Sequence, residues 1–80
     1  MTGKIPTQIG DVLILTTEAG TIRAVGAIHK DDQQDFSGQI SPSYVSGRAA
    51  AEAQAKALVT PGRRIYLRNK DTGDWNEIPN

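Results

Sequence analysis

Val12-Leu13-Ile14-Leu15-Thr16-Thr17 is an unbroken run of aliphatic and β-branched residues. Such residues favour the extended, pleated conformation, and a continuous apolar run is typical of a strand that is covered on both faces. The run is far shorter than the roughly 20 apolar residues of a membrane-spanning helix. We therefore predict a buried strand here and interpret the rest of the chain around it.

The residues that follow predict an antiparallel partner for this strand. Glu18-Ala19-Gly20 is a short connection in which the glycine can adopt a positive φ. Thr21 to His29 is again rich in β-branched and small apolar residues, which indicates a second strand. Gly26 lies inside it and predicts either a β-bulge or the close approach of another group to the backbone.

An alanine-rich segment, Ala49 to Leu58, predicts the helix of the domain, because alanine has the highest helix propensity. Ser46 is the expected N-cap, and a start at Ser41-Pro42 is the alternative. The face expected to pack on the sheet contains Ala50, Ala53, Ala57 and Leu58, flanked by Ala51, with Gln54 near its centre.

A second hairpin is predicted after Thr60-Pro61-Gly62 ends the helix. The strands Arg63 to Asn69 and Asp74 to Ile78 flank Lys70-Asp71-Thr72-Gly73, which fits a type I turn closed by a left-handed glycine. This turn predicts a register that pairs Tyr66 with Ile78. The register assigns the strand residues to two faces: Ile65, Leu67 and Trp75 on one, and Arg64, Tyr66, Arg68, Asn76 and Ile78 on the other.

Glu77 is the weak point of that register, because it falls on the same face as Leu67 and Trp75. A carboxylate is not expected in an apolar layer without a partner. Either Glu77 lies at the rim of the sheet, or the strands pair in a different register.

The predicted fold is therefore α+β, with the order ββαββ: an antiparallel sheet of two hairpins and one helix packed on one face. We expect residues 1–10 to form a flexible N-terminal arm and residues 11–80 to form a single domain. The polar loop over residues 30–45 is long for so small a domain, and Phe36, Ile40 and Tyr44 are candidates to attach it to the core.

This element order, with an alanine-rich helix and a terminal hairpin that contains glycine, resembles the small ββαββ domains of uncharacterised bacterial proteins. The resemblance covers roughly Asp11 to Ile78. It implies the architecture, and it transfers no functional residue to this chain.

The amino-acid composition excludes some classes of function and disfavours others. The 80 residues contain no cysteine, and nine basic and nine acidic residues give a formal net charge of zero. Disulfides and cysteine-based zinc sites are thus excluded, and a nucleic-acid partner is disfavoured because such proteins usually carry a basic excess. The N-terminal residues lack the apolar run of a signal peptide, so we expect a cytoplasmic protein without a membrane partner.

Three short motifs invite a catalytic or metal-binding interpretation. Asp31-Asp32-Gln33-Gln34-Asp35 has clustered carboxylates, which bind hard cations, but a solvated acidic loop is the simpler interpretation. Asp71-Thr72-Gly73 matches the aspartic-protease tripeptide, yet it coincides with the predicted turn. His29 is the only histidine and has no second ligand nearby in the sequence. We therefore expect no metal, no cofactor and no enzymatic activity.

The best candidate for a binding surface is the sheet face that contains Arg64, Tyr66, Arg68 and Ile78. Tyrosine and arginine are enriched at protein interfaces, and one short helix covers only one face of a four-stranded sheet. These residues predict a small protein-interaction or structural module that forms a homodimer or binds a protein partner. The alternative is a nucleic-acid-binding module in which Tyr66 stacks on a base and the arginines contact phosphates.

Overall fold

The computed structural model describes residues 3–19, 21–36 and 47–79. Five elements follow one another in these ranges, and their order confirms the predicted ββαββ arrangement of an α+β domain. They are strand β1 (Val12–Thr16), strand β2 (Ile22–Ala27), helix α1 (Arg48–Leu58), strand β3 (Ile65–Asn69) and strand β4 (Trp75–Ile78).

The four strands form one sheet in the order β2-β1-β3-β4. Both hairpins are antiparallel as predicted, but β1 and β3 run parallel, so the sheet is mixed rather than antiparallel throughout. The parallel pair follows from where α1 ends. Thr60 donates its backbone N–H to the carbonyl of Gly10 at 3.3 Å, and the chain therefore enters β3 beside the start of β1.

Strand β1 is buried along its whole length, which confirms the prediction from its sequence. Val12 and Ile14 face the helix, whereas Leu13 and Leu15 face the opposite side of the sheet. The apolar residues on the helix side form a cluster that we call the helix layer. Its buried members are Val12, Ile14, Ile22, Val25, Ala51, Ala55, Ile65 and Ile78, with Val59 and Leu67 packed against them.

The predicted face of α1 is wrong. Ala51 and Ala55 are its buried residues, whereas Ala50, Ala53, Ala57 and Leu58 are exposed and Gln54 is half-buried. Alanine lies on every side of this helix, so the apolar pattern has little contrast, and Val59 beyond its end contributes the larger apolar contact. The helix begins at Arg48 after Gly47; the predicted N-cap Ser46 and the alternative start at Ser41-Pro42 lie outside the described residues.

The predicted register of the second hairpin is also wrong, by one residue. Ile65 pairs with Ile78 and Tyr66 pairs with Glu77, so every side chain of β4 lies on the face opposite to the predicted one. The slip moves Glu77 from beside Leu67 to a place opposite Tyr66, where its side chain is exposed and lies 3.5 Å from Arg64. It also places Trp75 beside Tyr66, in an edge-to-face ring contact with centroids 5.7 Å apart.

On the sheet face opposite the helix lies a second apolar cluster, which we call the arm layer. Its buried members are Ile5, Leu13, Leu15, Ala24, Ile28 and Tyr66, with Phe36 and Trp75 packed against them. Phe36 is one of the three predicted anchors, and the other two, Ile40 and Tyr44, lie outside the described residues. The Phe36 ring would come within 3.0 Å of a Cβ at Gly26, so this glycine permits the close approach that was predicted as one of two alternatives.

Residues 3–9, expected to be a flexible arm, lie against the loop over residues 31–36. The Gln34 side-chain amide accepts a hydrogen bond from the N–H of Ile5 and donates one to its carbonyl, both at 2.8 Å. Thr7 donates its hydroxyl to the Gln33 carbonyl at 2.7 Å and accepts the N–H of Asp32 at 2.8 Å. Because Ile5 and Thr7 are both buried, the arm belongs to the folded core.

Candidate functional site

The four predicted binding residues do not form one surface. Arg64, Tyr66 and Arg68 share the arm side of the sheet as predicted, but Ile78 is buried in the helix layer on the other side. Tyr66 is only 2% exposed. A buried ring cannot stack on a base, so the arrangement that motivated the nucleic-acid alternative is absent from this face.

Arg68 connects three parts of the molecule. Its Nη1 donates to the carbonyl of Gly3 at 3.1 Å and to Oε1 of Gln34 at 3.2 Å. The guanidinium therefore joins β3 to the arm and to the loop, and its hydrogen bonds stabilise the cover over the arm layer.

Arg64 is the most exposed of the four, with 64% of its side chain accessible. Its Nη1 lies 3.5 Å from Oε1 of Glu77 on β4. A hydrogen bond with Tyr66, and then the charge of Glu77, raise the pKa of the Arg64 guanidinium above its usual value. Because arginine is already charged at all physiological pH values, this group is a permanent cation at the surface.

A cleft of about 260 Å³ opens beside Arg64, between the arm and the start of β3. We call it the arginine cleft. It is lined by Pro6, Gln8, Asp11, Gly62, Arg63, Arg64 and Tyr66. Among these lining side chains, two are cationic and one is anionic, and Arg63 donates from Nη1 to Oε1 of Gln8 across the cleft.

Asp11 fixes the two walls of this cleft. Its carboxylate accepts the backbone N–H of Arg64 at 2.9 Å on one oxygen and that of Gln8 at 2.8 Å on the other. The residue is 3% exposed, so both bonds are shielded from solvent on the carboxylate side. Asp11 thus joins the arm to the start of β3, in addition to the bonds from Arg63 to Gln8 and from Arg68 to Gly3.

Sequence reasoning missed Asp11 and Gln8. Asp11 carried one local signal: an aspartate next to a glycine and directly before a strand commonly bonds nearby backbone N–H groups. No sequence pattern indicated that the second N–H would come from Arg64, because that contact joins residues 53 positions apart.

Gly10 and Gly62 allow a matched test of the packing between the arm and the start of β3. Both have a positive φ, +99° and +83°. A Cβ at Gly10 would lie 2.5 Å from Oγ1 of Thr60 and 2.8 Å from Cγ of Arg63, whereas a Cβ at Gly62 meets nothing within 4 Å. We expect Gly62→Ala to lower the free energy of unfolding by about 1 kcal/mol and Gly10→Ala by about 2 kcal/mol. Urea denaturation measures both, and equal losses would contradict the close packing at Gly10.

The acidic loop motif, Asp31 to Asp35, attaches its loop to the arm. Asp31 accepts the N–H of Ile9 on Oδ1 at 3.1 Å, and Asp32 lies 3.6 Å from Nζ of Lys4. Asp32 also has a φ of +62°, a conformation that aspartate tolerates better than most residues. Two of the three carboxylates thus attach the loop to the arm.

The Asp71-Thr72-Gly73 tripeptide lies in the hairpin turn, as predicted. Oδ1 of Asn69 accepts the N–H groups of Asp71 and Thr72, and Gly73 has a φ of +81°. Asp71 itself accepts the N–H of Glu18 at 2.9 Å, which links the two hairpin turns. The turn chemistry explains all three residues.

His29 is exposed at the end of β2. Its backbone N–H donates to Oε1 of Gln33 at 3.1 Å. Across residues 3–19, 21–36 and 47–79, no three histidine, aspartate or glutamate side chains are grouped to hold a metal ion. In the same ranges, no helix has the length and apolar character needed to cross a membrane.

Comparison of the chain with protein-family models, with curated proteins and with solved structures found no match.

Proposed function

We propose that this protein is a small interaction module that binds another protein through the arginine cleft. The observation that carries the proposal is the cleft itself: a concave site beside an exposed permanent cation, with the exposed Pro6 on one wall. Arginine is enriched at protein interfaces, and Pro6 adds accessible apolar area.

The size of the cleft suits the side chains of a protein partner. Small-molecule sites usually enclose roughly 300–1,000 Å³, so the cleft lies near the lower end of that range. At about 260 Å³, the arginine cleft admits one or two side chains of a partner. Pro6 on one wall provides apolar contact for the carbon atoms of such side chains.

The charge of the molecule supports a protein partner over nucleic acid. The formal net charge is zero, and the cleft contains Asp11 beside its two arginines. Binding to a phosphate backbone requires several cations along a stripe, which neutralise successive phosphates. A homodimer through the predicted sheet face is disfavoured. The chain's own arm and loop cover the face on which Tyr66 and Ile78 were expected to meet a second copy.

The test is a titration of ¹⁵N-labelled protein with three capped nonapeptides, one acidic, one basic and one uncharged, and with single-stranded and duplex oligonucleotides. We expect at least one peptide to shift the amide resonances of Gln8, Gly62 and Arg64. The Arg64→Gln variant should lose these shifts, and Arg48→Gln, an exposed arginine paired with Glu52 on α1, should retain them.

Two outcomes would overturn the proposal. The first is the absence of cleft shifts with all three peptides and on dilution of the protein alone. The second is cleft shifts with oligonucleotides only, weakening steeply with salt, which would establish the nucleic-acid alternative. Cleft shifts that depend on protein concentration, with a dimer mass by light scattering, would identify the protein partner as a second copy.

A further inference from the structure

We infer that the ligand of the arginine cleft is an acidic peptide segment, and that Glu77 occupies the place of the ligand's carboxylate on Arg64 until the ligand binds. This inference rests on the proposed function and names the chemistry of the partner. Glu77 thus competes with the ligand for the Arg64 guanidinium, within the same molecule.

The ion pair between Arg64 and Glu77 has the geometry of a weak interaction. Charge-assisted hydrogen bonds between a guanidinium and a carboxylate are about 2.7–2.9 Å long. Arg64 and Glu77 are separated by 3.5 Å, and both side chains are largely accessible, at 64% and 48%. Exposed pairs of this kind interact weakly, so an incoming carboxylate can replace Glu77 at a small cost.

The groups around the Arg64 guanidinium favour a carboxylate as the anion that binds it. The planar guanidinium presents a fork of N–H donors that matches a carboxylate with two parallel bonds. Asp11 lines the same cleft and repels a dianion more strongly than a singly charged carboxylate. Pro6, which is exposed and lines the cleft, offers apolar contact to the residue that follows the carboxylate along an extended peptide.

A second exposed pair in the molecule serves as an internal reference. Arg48 and Glu52 on α1 are also 3.5 Å apart, and their side chains are 55% and 32% exposed. Neither residue lines the arginine cleft. Changes at this pair therefore report the effect of a lost surface ion pair without the ligand site.

The experiment measures the affinity of a capped nonapeptide that alternates Glu and Leu, beside the peptide in which every Glu is replaced by Gln. Both are titrated by fluorescence anisotropy into the native protein and into five variants: Arg64→Gln, Glu77→Gln, the double variant Arg64→Gln/Glu77→Gln, Asp74→Asn and Glu52→Gln. Circular dichroism melts establish that each variant is folded. Asp74→Asn removes a negative charge from the same hairpin without touching the Arg64 pair, so it measures the general effect of charge.

We expect the acidic peptide to bind and the Gln peptide to bind at least about tenfold more weakly. Arg64→Gln should weaken the acidic peptide about tenfold. Glu77→Gln should tighten it by about two- to fivefold, and by more than Asp74→Asn does, because the competitor is removed. In the Arg64→Gln background, Glu77→Gln should have no effect beyond that of Asp74→Asn.

Each contrary result identifies what has failed. Equal binding of the two peptides at the cleft would overturn the carboxylate ligand and leave the interaction module standing. Tightening by Glu77→Gln that equals that of Asp74→Asn, or that persists without Arg64, would overturn the competitor role. The absence of cleft binding by these and by the other peptides would overturn the proposed function itself.

Discussion

Replacing Ile5 with alanine is expected to lower the free energy of unfolding by about 3 kcal/mol. Ile5 is fully buried and packs in the arm layer, although it belongs to a segment with no regular secondary structure. Removing its branched side chain leaves a cavity between the arm and the sheet. A domain of this size has only about 5–10 kcal/mol of stability, so the loss should be plain in chemical denaturation.

Ile9→Ala is the matched control, because Ile9 lies on the same arm and is 62% exposed. We expect it to change stability by less than about 0.5 kcal/mol. Amide exchange supplies an independent measure, in which the N–H of Ile5, bonded to Gln34, should be protected in the native protein and fast in Ile5→Ala. Similar stability losses for the two variants would show that the arm is attached by its backbone alone.

Asp11→Ala is expected to cost about 3 kcal/mol, because it leaves the N–H groups of Gln8 and Arg64 without their carboxylate acceptor. The effect should extend beyond stability. Without Asp11 the arm and the start of β3 lose one of their shared attachments, so the resonances of Gln8 and Gly62 should broaden or shift in the absence of any ligand.

Asp31→Ala tests whether the large stability loss at Asp11 comes from its burial. Asp31 also accepts a backbone N–H of the arm, that of Ile9, but at an exposed position. Water can replace that acceptor, and we expect a loss below about 1 kcal/mol. Thermal and urea unfolding compare the two variants directly. If Asp11→Ala proves as mild as Asp31→Ala, Asp11 does not determine the separation of the cleft walls.

The sequence contained enough information to predict the order of the elements and the central strand. In β1 every residue type favours a strand, and the continuous apolar run required a cover on both faces. The helix was predictable from alanine propensity, but its orientation was not, because alanine is nearly neutral in burial and the larger apolar residue of that contact, Val59, lies beyond its end.

The candidate site was less predictable, for two physical reasons. A slip of one residue in the second hairpin exchanges the faces of β4, so Ile78 was assigned to the wrong side of the sheet, and only Glu77 signalled the error. The arm was expected to be loose because residues 3–10 contain glycine, proline and threonine. Its attachment comes from side chains such as Gln34 and Arg68, which are distant in sequence and follow no periodic pattern.

The parallel pairing of β1 with β3 has a consequence for how the chain folds as it leaves the ribosome. Asp11 must bond Arg64, 53 positions later, and Arg68 must reach Gly3, 65 positions earlier. Neither the central strand nor the arm can complete its contacts from the first hairpin alone, and contacts between such distant residues form slowly. We therefore expect the nascent chain to stay unfolded until β3 has emerged, and then to fold in one cooperative step.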